Sequence, residues 1–293
     1  MRRGLDHVVH LVRDIDAAGE TYDLLGFTVG ARNVHPWGTE NRIVQTPGFF
    51  IELLQITDPQ KIPAPEPGRF SFGAFNADFL ATCGEGLPMV VFEGSDAQAE
   101  NEVLDLAGFG GFDVLDFSRK ARRQDGQEVE VSFSLAFAQD PASPHFSAFT
   151  CTQHHPENFW SADLQRHANM VSGLKGVVLV ADTPAEHRRF LETLADVPLL
   201  RALDDWLVAQ TPRGEIDVMS RALFTERYGV AAPKGPGLRA AAVRFSTPGA
   251  EELRRSLAAR RMVEETIAGV VVVPPRAAAG ATLVFEVEAD KSE

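Results

Sequence analysis

Four stretches of this 293-residue chain share one outline. Gly4-Leu5-Asp6-His7-Val8-Val9-His10-Leu11-Val12, Gly86-Leu87-Pro88-Met89-Val90-Val91-Phe92, Gly173-Leu174-Lys175-Gly176-Val177-Val178-Leu179 and Gly237-Leu238-Arg239-Ala240-Ala241-Ala242-Val243 align position for position. They recur after 86−4 = 82, 173−86 = 87 and 237−173 = 64 residues. Spacings this long mark a repeated supersecondary unit rather than a solenoid turn, so the unit has to be found four times in whatever the chain folds into. The openings are apolar and too short for an independent helix, which predicts a strand at each.

The residues after the first opening define the unit. Ile15, Ala18, Tyr22 and Leu25 lie at helical spacing after Asp14, and Gly26 stands where a left-handed cap ends a helix. Strands are predicted over residues 27–32, 41–45 and 49–56, giving β-α-β-β-β. Four prolines in residues 58–68 make a connector, and residues 70–80 read as a short apolar helix suited to cover a barrel mouth or a subunit contact. The second unit has a capping box at Ser95-Asp96-Ala97-Gln98, strands over 112–120, 128–139 and 145–153, and an Asp125-Gly126 hairpin. The third has Thr183-Pro184-Ala185-Glu186 opening a helix, then strands over 199–211 and 214–219. The fourth has a helix from Thr247-Pro248 to Leu257, strands over 269–273 and 281–287, and a polar tail over 290–293. These units read as an α+β chain, with a short segment containing His167-Ala168-Asn169 just before the third.

Charge excludes one group of functions. A formal net charge of −13 with 28 Lys+Arg leaves no concentrated basic surface for phosphate, so no nucleic-acid partner is expected. Cys83 and Cys151 cannot build a disulfide framework, no stretch reaches the length of a membrane span, and Met1-Arg2-Arg3-Gly4-Leu5-Asp6-His7 turns polar too soon for a signal peptide. A cytoplasmic protein with no membrane partner is the expectation.

The repeated unit, its Gly4-Leu5-Asp6-His7-Val8-Val9 opening, the acidic closing strand and the segments at 35–42 and 153–160 resemble the vicinal-oxygen-chelate superfamily, the fold of glyoxalase I, extradiol dioxygenases and bleomycin-resistance proteins. Within it the first half is most similar to the glyoxalase-like families. The resemblance implies two barrel-like domains of two units each, residues 1–160 and 161–293, with outer helices, and a pocket between paired units that holds a divalent metal (Fe, Mn, Zn or Ni), with His7 at the first-strand ligand position and Glu52 at the last-strand one. It places Met89, and Phe149 or Thr150, at the corresponding positions of the second unit, and Gly176 and Ala240, with Asp217 and Glu286, in the later two. The second half is therefore expected to be structural or to serve homodimer contacts, its acids paired with arginines such as Arg201 or Arg244.

The residues themselves carry further expectations. His10 lies three positions from His7, on the opposite sheet face, and belongs under the helix. Glu52 in an apolar strand needs a cation, a donor or a raised pKa, for which Arg42 on a neighbouring strand is a source. Glu52, His35 and Arg42 are the candidate catalytic groups, with Trp37, Asn41 and His154 lining the ligand pocket and His7 and Glu52 holding the metal. Only one of His154 and His155 can enter a given pocket, and Cys151 has no base beside it in sequence. Two functions are compatible with this set: a metal-dependent lyase, isomerase or dioxygenase acting on a small oxygenated molecule, or a metal-free protein that binds and sequesters one.

Overall fold

The computed structural model describes residues 2–122, 126–263 and 270–287, and in it all four openings are strands. β1 (Leu5–Leu11) leads into α1 (Ile15–Leu24), β2 (Asn33–Val34), β3 (Thr39–Thr46) and β4 (Phe49–Ile56). The Asp14 carboxylate caps α1 by accepting from the amides of Asp16 and Ala17, and Gly26, at φ +86°, turns the chain away. A 3-10 turn (Pro59–Lys61) and α2 (Phe72–Cys83) precede β5 (Gly86–Glu93), α3 (Ala97–Ala107), β6 (Leu115–Arg122), β7 (Glu128–Ala138), β8 (Ser147–Gln153) and the single-turn α4 (Pro156–Phe159). The later half runs through β9 (Gly173–Ala181), a 3-10 turn (Pro184–His187), α5 (Arg188–Ala195), β10 (Leu200–Leu203), β11 (Trp206–Gln210), β12 (Glu215–Ser220) and α6 (Arg221–Tyr228). It ends with β13 (Arg239–Thr247), α7 (Ala250–Ala259), β14 (Val271–Val273), a 3-10 turn (Pro275–Ala277) and β15 (Thr282–Val287).

The class is α+β, built on one large mixed sheet. β1 pairs parallel with β4 and antiparallel with β5, which pairs parallel with β8. β9 does the same with β12 and β13, and β13 with β15. A single bridge, Ala240 to Leu87, joins β13 to β5. Because side chains alternate along a strand, Leu5, Val8 and Val12 pack against Ile15, Ala18 and Tyr22 of α1, whereas Val9 and Leu11 pack with Phe72, Phe79, Phe137 and Phe149 on the other face. The helix-side core continues without a break to Phe190, Phe245 and Phe285 of the later half. Among the described residues no helix is long and apolar enough to cross a membrane.

Several local expectations are corrected. Residues 27–32 are not a strand: Gly30 N–H donates to Ile43 O, Arg32 pairs with Asp16 and Glu40, and Thr28 is tied to the linker. The Thr28 amide donates to His167 Nδ1 (2.9 Å), its hydroxyl to Arg166 O (2.5 Å), and the Asn169 amide to Gly26 O. In α3 the cap is Asp96, whose carboxylate accepts from the Ala99 amide, while the Ser95 amide donates to Glu100 Oε1. Thr183 makes no side-chain cap, and the helix there starts as a 3-10 turn. α6 was not anticipated, although Ser220 before it and Gly229 after it are the signals of its ends. The hairpin residues Gln124 and Asp125, Gly269 and the tail over 290–293 lie outside the described residues.

His10 sits under α1 as its position relative to His7 requires. Tyr22 Oη donates to its Nδ1 (2.9 Å) and its Nε2–H donates to Ala279 O (2.8 Å), so both nitrogens are used in the neutral form. Burial pushes its pKa from 6.5 down to about 4. The unfolded chain takes up a proton near pH 6.5 that the folded one refuses until about pH 4, so this group's contribution is present above pH 6.5 and is lost on acidification. Over that window the loss is about 3 kcal/mol at roughly 1.4 kcal/mol per pH unit. In urea titrations at pH 7 and pH 4, His10→Gln is expected to lose about 3 kcal/mol less stability than the natural chain; an identical pH dependence would contradict this account.

Candidate functional site

Four strands of the first half and two of their neighbours aim alternate side chains into one cavity of about 60 Å3. β1 supplies His7, β3 Asn41 and Ile43, β4 Phe50 and Glu52, β6 Leu115, Phe117 and Arg119, β7 Phe133 and Leu135, and β8 Phe149 and Cys151. Trp37, Phe72 of α2 and Phe159 of α4 close it. The walls are thus mostly aromatic, and the polar groups are few enough to orient whatever enters.

Glu52 anchors the polar end. Its Oε1 accepts from Asn41 Nδ2 (2.6 Å), and Asn33 Nδ2 holds Asn41 by donating to its Oδ1 (3.0 Å). His35 Nε2 stands 4.0 Å from the same carboxylate oxygen and accepts from Asn41 Nδ2 (3.2 Å), so its proton is on Nδ1, facing Thr39 Oγ1 (2.8 Å). Burial lowers the His35 pKa; the Glu52 charge opposes that shift and the Arg119 charge adds to it. The ring is a neutral spacer, stacked on Trp37 with centroids 5.0 Å apart.

His7 is held differently. Its ring stacks on Phe50 at 4.2 Å and meets the edge of Phe149 at 5.5 Å. Nδ1–H donates to Asp6 Oδ1 (2.5 Å), and Gln153 Nε2 fixes that carboxylate through Oδ2 (2.9 Å). This chain of contacts sets the tautomer and leaves Nε2 as the nitrogen with a free lone pair.

His7, His35, Trp37, Asn41 and Glu52 therefore share one cavity, whereas Arg42 and His154 do not. Arg42 follows Asn41 on β3 and faces the other way, where its Nε donates to Gly30 O (3.0 Å) and its guanidinium lies against Gly19 of α1. His154 lies on the outer face of β7, 2.7 Å from Ser134 Oγ. Cys151 lines the cavity, but burial, Asp6, Glu52 and Glu100 push its pKa well up, so it is a thiol. The residue that sequence reading missed is Arg119. Its signal was the alternation Leu115, Phe117, Arg119, which puts a lone cation on the apolar face of a strand.

Register settles the second module's positions. Glu52 stands opposite Val9, and in the same relation Phe149 stands opposite Val91, so Phe149 rather than Thr150 takes the carboxylate position, with Met89 at the histidine one. Met89 and Phe149 offer a thioether and a phenyl ring, which do not suit a hard divalent ion. Among the described residues no three His, Cys, Asp or Glu side chains are grouped to hold a metal. His7 and Glu52 thus gain no third ligand grouped with them, although His35 and Cys151 line the same cavity, and a catalytic ion takes three from its protein, so the residues present do not fit a resident metal.

In the second half Asp217, opposite Val178, is the counterpart of Glu52, while Thr282, opposite Ala242, takes the place expected for Glu286. Arg244 of β13 bonds Asp217, Glu215 Oε2 (3.0 Å) and Glu286 Oε1 (2.6 Å), and Trp206 Nε1 donates to Asp217 (2.8 Å). Arg201 is elsewhere, paired with Asp204 at the surface.

Comparison with known proteins bears on the fold. The family described as "Glyoxalase-like domain" matches residues 5–195. No curated protein matches the sequence. A hypothetical protein from Staphylococcus aureus superposes with a TM-score of 0.65 at 13% identity, covering 97% of this chain and 99% of that one. A mutant 4-hydroxymandelate synthase from Streptomyces coelicolor gives 0.58 at 13% identity over 98% and 92%. The Mn(II)-bound glyoxalase from Novosphingobium aromaticivorans gives 0.56 at 10% identity over 98% and 83%. At these identities the likeness speaks for the fold alone.

If the second module's side chains are what keeps an ion out, restoring donors should let one in. Met89→His combined with Phe149→Glu is expected to bind Zn²⁺ at least about tenfold more tightly than the natural chain in calorimetry, with circular dichroism confirming the fold. Equal affinities would place the obstacle elsewhere.

Proposed function

The chain belongs to the glyoxalase-like domain family, and on that footing we propose that its cavity binds a small, flat, oxygenated molecule without a resident metal ion. One observation carries this reading: Glu52, Asn41, His35, His7 and Arg119 gather within a chamber otherwise walled by Trp37, Phe50, Phe117, Phe133 and other aromatic rings. Flat apolar walls with a few directed polar groups suit a planar ligand held by stacking and oriented by hydrogen bonds. Residues 1–160, as a pair of βαβββ modules, form the working domain. Residues 161–293 form a degenerate domain of the same barrel-like kind, in which the salt bridges of Arg244 replace a ligand site and which serves stability or homodimer contacts.

A catalytic reading draws on the Asp6–His7 pair. A carboxylate on Nδ1 orients an imidazole so that Nε2 can accept a proton, and it stabilises the imidazolium that results. Lyase or isomerase chemistry by proton transfer is thereby within the reach of the side chains present. The metal-dependent forms of that chemistry, and a dioxygenase, need donors that Met89 and Phe149 do not supply.

The two branches separate on one preparation. Elemental analysis of the purified protein should find Fe, Mn, Zn and Ni each well below one per chain, and ligands found by thermal shift should raise the melting temperature equally with and without EDTA. A stoichiometric ion that disappears in His7→Ala would overturn the metal-free reading. Glu52→Gln and His7→Gln are each expected to weaken binding of such a ligand by about tenfold, the loss of one buried hydrogen bond.

A further inference from the structure

We propose that Arg119 takes the part a metal ion would have played, receiving the ligand's oxygen, and that the site selects neutral planar molecules pairing a carbonyl acceptor with an adjacent hydroxyl. The inference rests on the small-molecule reading of the cavity and names the ligand class.

Arg119 reaches the cavity because it shares the inward face of β6 with Leu115 and Phe117. Burial works against its charge, and the Glu52 carboxylate is the charge that opposes this effect. Its guanidinium makes no hydrogen bond to any described residue. Five N–H donors on a partly desolvated cation that no acceptor among the described residues engages stand at the wall of an apolar chamber, free to bond an acceptor that enters it. A carbonyl oxygen on a stacked ligand is such an acceptor.

Charge counting decides between a neutral and an anionic ligand. Glu52 and Arg119 balance each other, His35 is held neutral, and Asp6 beside His7 already adds negative charge next to the chamber. A carboxylate ligand would bring one more negative charge than the cations there can offset, whereas a neutral carbonyl would not. The second oxygen of Glu52 and Nε2 of His7 are acceptors, so the ligand is expected to carry a donor as well, which a hydroxyl beside the carbonyl provides.

The other half shows what an arginine does in this place when it is closed off. Asp217 occupies the register of Glu52, and Arg244 meets it from the neighbouring module, with its donors spent on Asp217, Glu215 and Glu286. In both halves an arginine faces the last-strand carboxylate, but the one that lacks hydrogen-bond acceptors is the one that lines a cavity.

The test uses the full chain and three single-ring probes, 2′-hydroxyacetophenone, salicylate and ethylbenzene, with dissociation constants measured by ligand-observed NMR in the presence of EDTA. The natural chain is expected to bind 2′-hydroxyacetophenone at least about tenfold more tightly than either of the others. Arg119→Met should lose that advantage while keeping its affinity for ethylbenzene, which shows that the chamber is intact, and Arg119→Lys should fall between. Salicylate binding tightest would overturn the neutral class, and an unchanged 2′-hydroxyacetophenone affinity in Arg119→Met would overturn the role of Arg119, with the cavity reading left standing in both cases. If no probe binds the natural chain, ethylbenzene included, the small-molecule reading fails and this inference with it.

Discussion

Burial on both faces governs this molecule. Every residue of β1 is buried, and β4, β5, β8 and β13 are nearly so, so each of their side chains must commit either to the helix side or to the cavity side. The two-residue period of a strand makes that choice without exception wherever no bulge intervenes. It sends Val8 and His10 under α1 and His7 and Val9 the other way, and it separates Asn41 from Arg42 and Phe149 from Thr150. The geometry of the site is the sum of these choices read across six strands.

The second governing term is the cost of a carboxylate taken out of water. Glu52 and Asp217 stand at equivalent places in the two halves; each accepts from an amide or indole donor, and an arginine bonds Asp217 while another shares the chamber with Glu52 and feels its charge. The difference lies in how completely the arginine is satisfied. Arg244 is locked by three carboxylates and fills its half with a finished salt-bridge cluster, whereas Arg119 leaves its half open to a ligand. One constraint, solved to completion or left unfinished, separates a structural domain from a binding one in this proposal.

Membership in the glyoxalase-like family accounts for the scaffold and leaves the chemistry to the side chains. A fold shared at 10% to 13% identity keeps the pattern of strands and the place of the chamber, because those depend on apolar alternation that many residues satisfy. What acts inside the chamber depends on a handful of positions. Here those positions carry an imidazole fixed by Asp6, a carboxylate fixed by Asn41, and an arginine, against aromatic walls.

Much was legible in the amino-acid sequence because it is written locally. The four openings, the Asp14 to Gly26 helix, the opposite facing of His7 and His10, and the need of Glu52 for a partner come from short-range periodicity and from the cost of burying charge. The later half's use of Arg244 was also within reach, since a cation was required near Asp217. Contacts distant in sequence were decided only by the tertiary structure. Arg119 and Glu52 line one chamber because β6 and β4, far apart in the chain, both turn a face to it. Next to Gly26, Thr28 gives its amide and hydroxyl to the linker at 166–167 rather than to a strand. His154 is held on the outer side by Ser134 of β7, and Phe149 rather than Thr150 takes the inward position in the register with β5. Periodicity tells which residues share a face; only the pairing of strands far apart in the chain tells what that face will meet.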